Sequence, residues 1–211
     1  GELGWMKAWF GGLRPTLMLP EGRGWPGKLH RETFAAAPFE IAEANGLTWA
    51  GVQLTASLTR AGFEGLRVEI AYLTVGGSNV LKVVYRLVNE TSAYRRATPS
   101  LLTFWQVDGQ HEHSVLYGEN LQRKRSPNMA SSSVGPWGAT VNPTTGRAGV
   151  LVDASGQKRV KTMDWGVDGG HLFVKNEAVV APHGSHKLVT YLALAESLEE
   201  GKQYACLAGG Q

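Results

Sequence analysis

In Gly65-Leu66-Arg67-Val68-Glu69-Ile70-Ala71-Tyr72-Leu73-Thr74, the residues Leu66, Val68, Ile70 and Tyr72 alternate with Arg67 and Glu69. A period of two is the signature of a strand with one buried face. Gly76-Gly77-Ser78-Asn79 supplies a turn, and the alternation resumes from Val80 to Asn89. There Leu81, Val83, Tyr85 and Leu87 fall on one face, while Lys82 and Arg86 share the other with Val80, Val84 and Val88. The two segments predict an antiparallel hairpin.

Outward from this hairpin, the same reading predicts strands at Pro38–Ala44, Thr48–Thr59, Ser100–Val107, Gly138–Val141, Ala148–Val152, Val160–Met163, His171–Val174 and His186–Ala195. Turn clusters such as Asn142-Pro143-Thr144-Thr145-Gly146 and Asp153-Ala154-Ser155-Gly156 separate them, with no helical crossover between. The expected fold is therefore all-β, two antiparallel sheets packed face to face. Only the end reads as helix: Ser197-Leu198-Glu199-Glu200 has capping-box form, and two turns are expected to about Leu207.

Two stretches depart from the pattern. Residues 1–37, rich in Trp, Gly and Pro from Trp9 to His30, read as an irregular wrapping arm. Gly109 to Gly135 reads as a long connection, the kind that in compact domains is often functional. No repeat and no linker divides the chain, so residues 1–211 are expected to form one domain.

Composition narrows the function classes. The 211 residues are 43% hydrophobic and 18% charged, with 27 Gly, 9 Pro, 7 Trp and a single cysteine, Cys206. That excludes disorder and argues against a helical bundle. A net charge of +3 is too near balance for a nucleic-acid footprint, and Arg123-Lys124-Arg125 is too short to supply one. No apolar run is long enough to span a bilayer, and Gly1-Glu2-Leu3-Gly4-Trp5 lacks the form of a secretion signal. Neither nucleic acid nor membrane is expected as a partner, no cofactor motif is present, and the lone cysteine leaves the compartment open. Because the sequence opens on Gly1 rather than Met, the expectation is a piece of a larger polypeptide.

The run from Leu66 through Thr98-Pro99-Ser100-Leu101-Leu102-Thr103-Phe104-Trp105-Gln106-Val107-Asp108-Gly109 resembles the middle of aldose 1-epimerases, the galactose mutarotases. Val179-Val180-Ala181-Pro182-His183-Gly184-Ser185, followed by His186–Ala195, is similar to the late turn and final strand of the same superfamily. Together these cover roughly half of the chain. The resemblance implies a β-supersandwich. It also implies either a hexose epimerase or one of the noncatalytic domains that this superfamily supplies to glycoside hydrolases and polysaccharide lyases.

Epimerisation needs a His acid at the ring oxygen and a carboxylate base at the anomeric hydroxyl. Aligned on Gly109, the family's first His falls at or beside Leu102, so the acid is missing; Glu177, upstream of Pro182, holds the place of the base. A divergent epimerase would have to use His111 or His113 as acid. The preferred expectation is a noncatalytic carbohydrate-binding or structural accessory domain, contacting other domains of its parent chain; a protein-interaction domain is a further alternative.

The sugar-contact candidates follow from composition. Sugars present flat C–H faces and rings of hydroxyls, which suit an aromatic flanked by polar groups. Trp105, Gln106 and Asp108, Asp164 and Trp165, and more weakly Arg123, have that character, and Trp137 belongs with the group. The bland alternative for each Trp is core packing. His111-Glu112-His113 places two imidazoles on one side of an extended segment, but no third metal ligand is evident and exposed loop histidines are the plainer reading. Asn89-Glu90-Thr91 matches the glycosylation pattern.

Overall fold

The computed structural model describes residues 6–19, 29, 32–107, 115–119, 121–124, 130–154, 160–164 and 170–209. Its strands form two antiparallel sheets, with one helix among the described residues at the C-terminal end, α1 (Leu198–Gly209). One sheet runs β1 (Met6–Met18), β6 (Arg95–Val107), β13 (Gly170–Lys175), β12 (Val160–Asp164) and β9 (Ala130–Gly135), with β14 (Ala178–Val180) also paired to β6. The other runs β2 (Ala35–Ala42), β3 (Thr48–Ser57), β4 (Leu66–Thr74), β5 (Val80–Asn89), β15 (Ser185–Ala195), β11 (Ala148–Asp153), β10 (Trp137–Val141), β7 (Val115–Gly118) and β8 (Leu121–Lys124).

The chain also divides into two compact units. One comprises Gly1–Arg14, Leu101–Val174 and Thr190–Gln211, the other Pro15–Ser100 and Lys175–Val189.

In the second unit, β2 to β5 form a meander whose centre is the hairpin read from sequence. Its register pairs Leu66 with Asn89, Ile70 with Tyr85 and Thr74 with Leu81. Leu66, Val68, Ile70, Tyr85 and Leu87 are buried, as the alternation requires. Burial pushes the Tyr72 phenol up to about 12, and Tyr85, which donates to the Thr16 carbonyl at 3.2 Å, is pushed up further. The opposite face carries an ion ladder: Arg67 reaches Glu90 at 2.7 Å, and both Arg67 and Arg86 reach Glu69. Further along that face Lys82 is buried against Glu43, with its ammonium 5.3 Å from the centre of the Trp49 ring. Burial alone would raise the Glu43 carboxyl, but the hydrogen bond and charge of Lys82 outweigh it and hold it below its ordinary value.

In the first unit, β11 pairs with β10 and with the end of β15, and α1 lies against β11. Gly201 permits that approach, since a Cβ there would sit 2.7 Å from Val150. The capping box forms in part: Glu200 N–H donates to Ser197 Oγ at 3.2 Å, while its carboxylate accepts from the Glu196 N–H instead of that of Ser197.

Two expectations change. Within residues 1–37, expected to be an irregular wrapping arm, Met6–Met18 is an extended strand and Ala35 begins another; Pro15 is accommodated in β1, which lies at the end of its sheet among the described strands. Within Gly109 to Gly135, three short strands, β7, β8 and β9, replace much of the long connection. The polar β8 and Ser-rich β9 hide the period of two, and β7 is only four residues long.

The glycosylation pattern has a different meaning. Asn89 is fully buried, and its amide donates to the carbonyls of Ala93, Val180 and Ala181 at 2.7, 3.2 and 2.9 Å. Its oxygen accepts from the Thr91 N–H and hydroxyl at 3.0 and 2.7 Å, which is why a hydroxyl residue stands two places on. Ala181 to Gly184 then closes a turn by a 3.0 Å backbone bond, with His183 in the left-handed region at φ 54°.

Asn89→Ala is expected to destabilise the protein by about 2–3 kcal/mol, because buried carbonyls lose their donor; denaturant unfolding measures it. Expression in a glycosylating host should leave the mass at this sequon unchanged. Glu43→Gln strands a buried ammonium and should cost about 2–4 kcal/mol near neutral pH. Since the folded Glu43 carboxyl lies below its unfolded value, its stabilisation is present above the unfolded pKa and lost as pH falls through the folded one. The gap between wild type and variant should therefore narrow in acid.

Candidate functional site

Glu177 and Trp137 are the proposed site residues whose side chains lie among those described. Glu177 follows β13 and precedes β14, is largely exposed, and has the Lys175 ammonium 3.4 Å away. The β14–β6 pairing defines its surroundings: Ala178 lies opposite Ala97, Val179 opposite Arg96, and Val180 opposite Arg95. Asn176 N–H donates to the Pro99 carbonyl at 3.0 Å, which continues the register and sets Glu177 beside Thr98.

Alternation then sorts the side chains. Lys175, Glu177 and Val179 fall on one face with Arg96 and with Thr98, which is itself buried, while Ala97, Ala178 and Val180 fall on the other and are buried. That face, with Met18 and Leu19, lines an open cleft of about 580 Å³. Two residues before Arg96 on the same strand path, Tyr94 is 70% exposed, and Val179 is 61% exposed. The cleft is polar and mildly cationic, with two basic side chains against one carboxylate. Its hydrogen-bonding groups stand beside the exposed apolar side chain of Val179.

The other candidates are placed less completely. Trp105 and Gln106 lie on β6, Arg123 on β8, and Asp164 ends β12 opposite Gly170. His111, His113, Asp108 and Trp165 lie outside the described residues. Trp137 starts β10, and the Lys202 ammonium stands 5.0 Å from its ring centre, so a cation already occupies one of its faces. No cluster of three metal-ligating side chains occurs among the described residues, and no described helix is long and apolar enough to cross a membrane.

Leu102, read from sequence as the place of the family's first His, is buried and packs with Phe173. An imidazole there would meet an apolar neighbour.

Sequence reasoning missed Tyr94, Arg96 and Lys175. Arg95-Arg96-Ala97-Thr98-Pro99 carries no apolar alternation, so the strand was expected to begin at Ser100. The available signal was the Thr-Pro that precedes it in the resemblance.

This architecture is the galactose mutarotase-like β-supersandwich. No protein-family model matches the chain, and no curated protein sequence does. Among solved structures, one from Klebsiella pneumoniae, provisionally named an aldose 1-epimerase, superposes with a TM-score of 0.67 at 8% identity, covering 94% of this chain and 66% of that one. A galactose mutarotase-like protein from Lactobacillus casei gives 0.61 at 10% identity, covering 87% and 85%. The α-N-acetylgalactosaminidase NagBb from Bifidobacterium bifidum, as a quadruple mutant, gives 0.61 at 14% identity, with 93% of this chain matching 33% of that enzyme. The chain thus spans just under two thirds of the Klebsiella structure and a third of the glycosidase. At these identities the likeness is one of fold.

Leu102→His is expected to cost about 2–4 kcal/mol by placing a polar ring in an apolar contact; thermal or denaturant unfolding of the variant reads it directly.

Proposed function

We propose that the chain is a noncatalytic carbohydrate-contacting domain of a larger carbohydrate-active protein, with the Arg96–Glu177 cleft as its contact surface. The observation that carries this reading is the lining of the cleft. Arg96, Lys175 and Glu177 bring donors and acceptors to one face beside exposed Val179, and exposed Tyr94 lies two residues before Arg96 in the chain. The fold neighbours support it, since their names place them among sugar epimerases and glycosidases, and in the glycosidase this fold makes up only a third of the chain. Leu102 against Phe173 supports the noncatalytic half. The remaining domains of the parent chain would be its protein partners.

The epimerase alternative retains Glu177 as base, in a cleft open to substrate. Its acid would have to come from His111 or His113. Polarimetry separates the two readings: α-galactose or α-glucose should mutarotate at the buffer rate in the presence of micromolar protein, and acceleration would overturn the noncatalytic assignment. Calorimetric titration with a panel of neutral and acidic oligosaccharides should find at least one ligand, weakened several-fold by Tyr94→Ala. Silence across the panel would sink the carbohydrate reading.

A further inference from the structure

We infer that this cleft selects a saccharide bearing a carboxylate over the same saccharide without the charge, an inference that rests on the carbohydrate reading of the cleft. Its starting point is the pattern of cation pairing. On the strands of the same unit, basic side chains are mostly engaged: Arg67 by Glu69 and Glu90, Arg86 by Glu69 and Ser185, Lys82 by Glu43, and Arg95 by the carbonyls of Gly62 and Glu64 at 2.6 and 2.7 Å. Arg96 stands next to Arg95 yet has no hydrogen bond or ion pair among the described residues, is exposed, and lines the cleft.

Lys175 is only loosely held. Its contact with Glu177 is a solvent-exposed pair at 3.4 Å, of a kind that contributes little and is readily exchanged. The cleft therefore presents one disengaged guanidinium and one weakly held ammonium against a single carboxylate. A guanidinium fork matches a carboxylate with two parallel N–H donors, a geometry that neutral hydroxyls do not reproduce. Along an extended chain Tyr94 lies about 7 Å from Arg96, roughly the length of one sugar residue. A pyranose stacked on Tyr94 can thus hold its carboxylate, or that of its neighbour, at Arg96. Glu177 opposes the charge from across the strand pair and limits the affinity.

The test is titration calorimetry of the full chain with trigalacturonate and with the same trimer fully methyl-esterified. The acid is expected to bind about tenfold tighter than the ester, with the gap closing as salt rises from about 50 to about 300 mM. Arg96→Gln should abolish the preference, bringing acid and ester to the same affinity, with the thermal midpoint unchanged. Arg60→Gln, the same charge change at another exposed arginine, should leave the preference intact, and Glu177→Gln should tighten the acid several-fold. Equal binding of acid and ester overturns the charge selectivity while the carbohydrate reading stands. An intact preference in Arg96→Gln overturns the assignment to this cleft, and acetate competing as well as the trimer overturns a saccharide site. Failure of both trimers overturns the inference; failure of the whole oligosaccharide panel overturns the parent reading too.

Discussion

The Asn89 side chain sets the geometry on which the candidate site depends. With its donors on Ala93, Val180 and Ala181, it ties the end of β5 to the chain entering β6 and to the chain leaving β14. Those two segments flank the three-residue ladder that pairs Ala178–Val180 with Arg95–Ala97. A ladder this short has little intrinsic register preference, and a slip of one residue would turn Arg96, Glu177 and Val179 inward and expose the alanines. One buried amide, satisfied on every side, prevents the slip. The left-handed His183 in the following turn is consistent with a segment whose path is imposed by such anchoring, since a non-glycine residue adopts that region only where its surroundings dictate it.

Legibility followed the contrast between buried and exposed faces. The hairpin of β4 and β5 could be read because Arg67, Glu69, Lys82 and Arg86 punctuate an apolar row, and β3, β10, β11 and β15 were placed within a few residues for the same reason. β1, β7, β8 and β9 were not, because Gly pairs, Ser runs and basic clusters are composition that loops share, and pairing with neighbours distant in sequence overrides local preference. The site was half legible. Glu177 came from a resemblance, whereas Arg96 and Tyr94 depend on a register that only Asn89 and the β14 pairing establish.

Charge pairing separates the structural ionic groups from the available one. Lys82 is buried and neutralised by Glu43, and the Arg67–Glu69–Arg86 ladder spans neighbouring strands; each is accounted for by the sheet it stabilises. Burying Lys82 unpaired would cost several kcal/mol, so Glu43 supports the fold, whereas the more exposed arginine pairs each contribute little. An exposed arginine carries no such penalty. Arg96 can therefore remain disengaged without cost to the fold, and this freedom is what a ligand site needs.

Strand β6 changes character along its length. At its start Arg96 is exposed and lines the cleft. From Ala97 to Thr103 every residue is buried, and the side chains turned to either face of the strand are covered. Thr103 is tolerated there because its hydroxyl exchanges hydrogen bonds with the backbone of Leu172 at 2.8 and 3.2 Å. An imidazole at 102 would need both a comparable partner and a path for its proton to solvent, and Phe173 offers neither. The leucine is therefore the residue this covered stretch favours, and seating a polar ring there would require reopening the packing around Phe173 as well as changing one side chain.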